Sequence, residues 1–138
     1  MARILIVDDD EDFLRLMGEY LRLVGLEHDL ALSAEQARRS LKSSGYDVVV
    51  SDFKMPGESG LDLFSYVSSM YPETPFVLMT GRDDLRIKRE FMGMGVHAYI
   101  QKPFYLKELS QTIINLMRRC VQIEVPAALP ARFAAVTT

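Results

Sequence analysis

The chain has 138 residues, enough for one domain with a real core; half of it is apolar and a quarter is charged. Its net charge of −3 supplies no cationic footprint, so no nucleic acid is expected to bind this chain. The single cysteine, Cys120, excludes an internal disulfide, and no apolar run suits a signal peptide or a membrane span, so a cytoplasmic domain with no membrane partner is expected.

The chain opens with Arg3-Ile4-Leu5-Ile6-Val7, a short run rich in β-branched residues that reads as a buried parallel strand. Asp8, Asp9 and Asp10 follow at once. Phe13, Leu16, Met17, Tyr20, Leu21 and Val24 then recur at helical spacing, and Gly25 is placed to end that helix. A short second strand is predicted over residues 28–32. Ser33 with Gln36 forms a predicted capping box for a helix to about Ser43, stopped by Ser44-Gly45.

The third strand runs from about Tyr46 to Ser51 and delivers Asp52, with Met55-Pro56-Gly57 in the loop beyond. A helix from about Gly60 to Met70 ends at Tyr71-Pro72, and Pro75 leads into a fourth strand, Phe76 to Thr80. A charged helix spans about Asp83 to Gly93, a fifth strand about His97 to Gln101, and a last helix about Tyr105 to Arg119. Five strands alternating with five helices predict an α/β fold, a mainly parallel sheet covered on both faces. Residues 1–119 form the expected domain, and the Ala- and Pro-containing stretch 120–138 reads as a tail or linker.

Acids at a strand's carboxyl end sit where such a sheet opens to solvent. Two strands that both deliver carboxylates to that edge make a cluster that repels itself, by about 4 kcal/mol for a pair near 4 Å at a protein surface. A hard divalent cation with oxygen ligands is the expected partner. Asp10, Glu11 and Asp12 fit a structural role at a helix start, where the macrodipole favours acids. Met55, Met79, Met92, Met94 and Met117 are expected in core or loop packing, and His28 and His97 in structural roles.

Asp8-Asp9 after strand one, Asp52 with Met55-Pro56-Gly57, Thr80 ending strand four, and Lys102-Pro103-Phe104 after strand five resemble the receiver domain of two-component response regulators. The likeness covers about residues 2–119. It implies the flavodoxin-like strand order 2-1-3-4-5. It also implies a phosphorylation-dependent signalling switch rather than a turnover enzyme, in which Asp52 accepts a phosphoryl group from a histidine kinase or phosphotransfer protein. Mg²⁺ would be the cofactor, held by Asp9 and Asp52 directly, by Asp8 through water, and by the Lys54 backbone carbonyl. Lys102 would offer a point charge and Thr80 a hydroxyl to the phosphoryl oxygens, with the Gly81 amide beside them.

The same resemblance implies a cis peptide before Pro103 and a switch made of Thr80 and Tyr99. The switch would act on the face of helix four, strand five and helix five, where Arg86, Lys88, Tyr99 and Lys107 would meet a partner or a second copy. Tyr105 stands where relatives commonly carry a capping Asp, so the last helix lacks its best N-cap. The resemblance further implies that the side chains at the positions of Lys54 and Arg82 control how water reaches the acyl phosphate.

Three other readings compete. A Mg²⁺-dependent phosphatase with an aspartyl nucleophile needs a second acid at position 54, which is Lys. A flavin-binding protein needs a phosphate loop where this chain has acids. A degenerate receiver acting as a phosphorylation-independent interaction module would not need the complete residue set. Output domain, cognate kinase, oligomeric state and dephosphorylation rate are not encoded legibly.

Overall fold

The computed structural model describes residues 3–81 and 85–117, without the side chains of residues 85–87. Its elements alternate as β1 (Arg3–Val7), α1 (Glu11–Leu23), β2 (Glu27–Ala31), α2 (Ala34–Ser43), β3 (Val48–Asp52), α3 (Gly60–Met70), β4 (Phe76–Thr80), α4 (Leu85–Gly93), β5 (Ala98–Gln101) and α5 (Leu106–Leu116). All strand pairs are parallel, in the order β2-β1-β3-β4-β5. The expected order of elements and strands is the observed one. Arg82, the Asp83 start of the fourth helix, the end of the fifth at Arg119 and the 120–138 tail lie outside the described residues.

Residue parity along each strand divides the core in two. Ile4, Ile6, Val48, Val50, Val77 and Met79 point to the face covered by α1 and α5, against Phe13, Met17, Tyr20, Leu21, Leu109 and Ile113. Leu5, Val7, Val49, Phe76 and Leu78 point to the other, against Ala37 and Leu41 of α2, Leu63, Phe64 and Val67 of α3, and Phe91 of α4. Burying each such large side chain contributes about 1.5–3 kcal/mol, and β1, β3 and β4 are shielded on both faces. That double cover explains why their sequences are unbroken apolar runs. Edge strand β2 mixes buried, half-exposed and exposed positions and β5 buried and half-exposed ones, with limits differing by a residue from those expected. Strand β3 starts two residues later than expected, at Val48, and ends one later, at Asp52.

Helix ends carry further corrections. Ser33 caps α2 by accepting from the Gln36 N–H at 3.1 Å, but the Gln36 side chain accepts from the Leu32 N–H at 2.8 Å rather than from the cap residue. The reciprocal capping box sits instead on α3, where Ser59 and Asp62 bond each other's backbone N–H. Gly25 follows α1 with φ of +78°, the left-handed conformation that ends a helix most cheaply with glycine. Tyr105 precedes α5 with no side-chain cap bond, as expected. Met55, Met79 and Met117 are buried, whereas Met92 and Met94 are 45% and 46% exposed, against expectation. Both lie where α4 runs out into Gly95, clear of the sheet. His97 accepts the Phe76 N–H on Nδ1, and His28 Nδ1 lies 3.1 Å from the Leu26 carbonyl oxygen, so both serve local backbone.

Candidate acidic site at the sheet's carboxyl edge

The chain leaves β1 toward β2 on one side of the sheet and enters β3 on the other. The carboxyl ends of β1 and β3 therefore flank the crevice in which open α/β sheets bind ligands. Asp8 continues the β1 ladder by donating its N–H to Ala31 O, which fixes its side chain in the crevice. Asp8 Oδ1 accepts the Asp10 N–H, and Asp10 in turn caps α1 by accepting from the Phe13 N–H. The acid run thus divides its work: Asp10 serves the helix, and Asp8 and Asp9 face the crevice. Asp52 is the last residue of β3.

Carboxylate oxygens of Asp8, Asp9 and Asp52 lie within 4.8 Å of one another, with Asp8 buried, Asp52 half-buried and Asp9 exposed. Lys102, carried in from β5, donates to Asp8 Oδ2 at 2.8 Å and lies 3.3 Å from Asp52 Oδ1. Its N–H holds Thr80 O at 2.7 Å, its ammonium sits 4.8 Å from the centre of the Phe13 ring, and the Lys102–Pro103 peptide is cis. Among the described residues, one ammonium, that of Lys102, is paired within this group of three carboxylates. Burial, and then the charge of Asp8, push the Asp52 carboxyl up to about 6 despite Lys102. Burial likewise raises Asp8, with Lys102 opposing it. The uncompensated negative charge and the all-oxygen donor set fit a small hard divalent cation.

Beside these acids Asp9, Phe53, Lys54, Met55, Pro56 and Ser59 line a cleft of about 400 Å³. Lys54 itself is exposed. Thr80 is buried at the end of β4, and Tyr99 is half-buried on β5. Strand register pairs Leu78 with Tyr99 and Thr80 with Gln101, so Thr80 and Tyr99 share one face of the sheet, two residues apart in register. The Tyr99 ring packs 5.9 Å from Phe91, which lies 5.0 Å from Phe53, the neighbour of Asp52. Lys88 and Lys107 are exposed, and the side chain of Arg86 is outside the described set.

Four contributing residues escaped the sequence reading. Phe13 looked like helix core and also lies under Lys102. Ser59 and Asp62 match the capping-box spacing and could have been read. Gly60 had no local signal: a Cβ there would stand 2.2 Å from the backbone oxygen of Asp52, so only glycine lets α3 begin against the end of β3.

Comparison with known proteins agrees with this geometry. The family model described as the response regulator receiver domain matches residues 4–114. The chain belongs to that family. It is 36% identical over 128 residues to protein PetR of Rhodobacter capsulatus, covering 93% of this chain and 52% of PetR. It is 32% identical over 109 residues to the C4-dicarboxylate transport transcriptional regulatory protein DctD of Rhizobium meliloti, covering 79% of this chain and 24% of DctD. The chain thus spans about half or less of these curated relatives. Among solved structures, a receiver domain protein from Clostridium thermocellum superposes with a TM-score of 0.79 at 30% identity, covering 85% of this chain and 94% of that one. Thermotoga maritima response regulator TrrA, solved in complex with Mg²⁺-BeF, gives 0.76 at 30% identity, covering 84% of this chain and 99% of its own. This receiver is a two-component signalling domain, and among its described residues no helix is long and apolar enough to cross a membrane.

Proposed function

We propose that this receiver accepts a phosphoryl group on Asp52 from a histidine kinase or phosphotransfer protein in the cytoplasm, and that the modification switches its α4-β5-α5 face. The observation that carries the reading is the placement of Lys102 Nζ, 2.8 Å from Asp8 and 3.3 Å from Asp52. It leaves Asp52 with a positive group at its side and an open cleft in front. Mg²⁺ would be held by Asp9 and Asp52, by Asp8 through water, and by the Lys54 carbonyl; when bound it neutralises charge on the transferring group. TrrA, solved with Mg²⁺-BeF, supports that assignment.

The chain's own residues do the rest. An Asp52 carboxylate oxygen attacks phosphorus, an O–P bond forms as the P–N bond to the donor imidazole breaks, and the imidazole keeps the electron pair. Asp8 anchors Lys102, whose ammonium then compensates the added charge, and Thr80 supplies a hydroxyl donor with the Gly81 amide near it. Such a device turns over only as fast as its own acyl phosphate hydrolyses, so it signals rather than catalyses a flux. The names of the relatives are largely those of transcriptional regulators, which supports an output in transcription.

Treating the protein with acetyl phosphate or phosphoramidate and Mg²⁺, then measuring intact mass, tests the assignment. One added phosphoryl group is expected, absent after chelation or in Asp52→Asn. Full labelling of Asp52→Asn would move the acceptor elsewhere, and no labelling of the native chain would favour a phosphorylation-independent interaction module.

A further inference from the structure

We propose that Arg38, on the outer surface of α2, is a positioning residue for the loop that follows Asp52. The inference rests on the reading of the Lys54 carbonyl as a metal ligand. Residues 53–59 run from β3 to α3 and carry Lys54 at their exposed bend. The loop is tied at its base, where Phe53 N–H donates to Met79 O and Gly60 N–H to Phe53 O. Met55 is tucked into the core, and Ser59 is locked by its capping box. Between those anchors the chain passes through Pro56 and Gly57, the latter at φ of +77°, and Glu58 ties it to the Arg38 guanidinium, 20 residues away in sequence.

Arg38 is itself held. Its guanidinium carbon stands 4.6 Å from the centre of the Tyr66 ring on α3, so the cation lies between an aromatic face and a carboxylate. Stacking of this kind uses the planar guanidinium, whose preorganised shape loses less side-chain freedom than a lysine would. The tie joins α2, the loop and α3, and Glu58 stands in the chain between Pro56 and Ser59, which line the cleft with Asp9 and Lys54. Residues that orient a metal ligand through the protein commonly change affinity 10–100-fold. This pair is further from the ion and about one third exposed on the Arg38 side, so roughly three- to tenfold is expected.

Charge alone makes the opposite forecast, which gives the test its edge. Removing a cation from the neighbourhood should strengthen Mg²⁺ binding if Arg38 acts only through its field. Removing a strut should weaken it. The experiment is calorimetric titration of Mg²⁺ into native protein, Arg38→Met, Arg38→Lys and Glu58→Gln, with melting in chelator to confirm folding. Weaker binding in Arg38→Met, with a smaller loss in Arg38→Lys, whose charge is unchanged, is the expected result. NMR shifts in the amides of residues 53–58 should accompany it. Binding in Arg38→Met equal to or tighter than native overturns the strut; should that variant fail to fold, native-like affinity in Arg38→Lys overturns it as well. If native protein binds no Mg²⁺, the metal-site reading and this inference fall together.

Discussion

Lys102 and Asp8 meet at 2.8 Å with their side chains only 6% and 1% exposed, although 94 residues of chain separate them. The pair closes the acidic crevice: β1 brings one charge, β5 the other, and Asp52 stands beside both. Removing one member of a buried ion pair strands the other and typically costs 3–5 kcal/mol, against a near-neutral balance for the intact pair. Here the stranded groups would be carboxylates already short of positive charge.

Lys102→Met should therefore lower metal-free stability by about 2–4 kcal/mol. It should also make the domain lean harder on Mg²⁺, because the competing cation is gone. Thermal melts with chelator and with excess Mg²⁺ check both points, since a ligand that binds only the folded state stabilises it in proportion to its affinity. A rise in melting temperature on adding Mg²⁺ larger than that of the native chain is the expected signature; an equal or smaller rise would mean that Lys102 does not compete with the metal.

Asp52 sets a pH dependence of opposite sign to the usual carboxylate. Its carboxyl titrates near 3.8 when unfolded and near 6 when folded, because burial and Asp8 oppose its ionisation. The folded state thus holds more protons between these values, so metal-free stability falls as pH rises from about 4 to about 6. The deficit is complete above that window, and a shift of this size corresponds to about 3 kcal/mol before relaxation. Asp8, also raised, acts in the same sense. Asp52→Asn should flatten this fall and melt higher than native protein at pH 7.5 in chelator, while Lys102 keeps its bond to Asp8. Denaturant unfolding from pH 4 to 8 measures it; an unchanged slope would mean that the carboxyl is not destabilised by its surroundings.

The fold was readable because β1, β3 and β4 are buried on both faces and so appear as unbroken apolar runs. Edge strands and helix starts were less so. Whether Gln36 returns to Ser33 or to Leu32 depends on a backbone turn that spacing does not encode. Met92 and Met94 are apolar, but Met92 follows the buried Phe91 onto the exposed side of α4 and Met94 lies in the turn beyond it. Within the crevice, Asp8, Asp9, Asp52 and Lys102 were legible as charges at strand ends. Phe13 was not, since it meets Lys102 across 89 residues of chain, and neither was Gly60, whose close approach to the Asp52 carbonyl no local pattern encodes.

Gly60 gives the most geometric expectation. A methyl group there would lie 2.2 Å from Asp52 O and 3.0 Å from Leu78 Cδ1, so either α3 or the end of β3 must move. Gly60→Ala should cost about 2–4 kcal/mol by overpacking. It should also slow acceptance of a phosphoryl group, because the backbone displaced belongs to the proposed acceptor, Asp52. Gly45→Ala, where a Cβ meets nothing within 4 Å, is the control and should stay within about 0.5 kcal/mol of native. Denaturant unfolding and labelling rates measured on both variants decide it; native-like labelling in a destabilised Gly60→Ala would separate the packing from the site.

The proposed switch would run from Thr80 to Tyr99. A phosphoryl group on Asp52 would carry roughly 1.5 to 2 negative charges where the carboxylate carried one, and Thr80, buried at the end of the neighbouring strand, is the hydroxyl proposed to turn toward it. Thr80 and Tyr99 share a sheet face, so movement of the first changes the space open to the second. A parallel route exists through rings: Phe53 follows Asp52, packs on Phe91, and Phe91 packs on Tyr99. The two states need differ by only a few kcal/mol for the phosphoryl group to reverse their populations. Beryllofluoride with Mg²⁺, standing in for the phosphoryl group, should perturb NMR signals of Thr80, Phe91, Tyr99 and Lys107 in the native chain. In Thr80→Ala the Tyr99 shift should shrink while the shifts of Asp9 and Phe53 persist. If Tyr99 responds equally in Thr80→Ala but loses its response in Phe91→Leu, the signal travels through the rings and not through the hydroxyl. A response confined to the loops around Asp9, Asp52 and Lys102 would remove Tyr99 from the switch altogether.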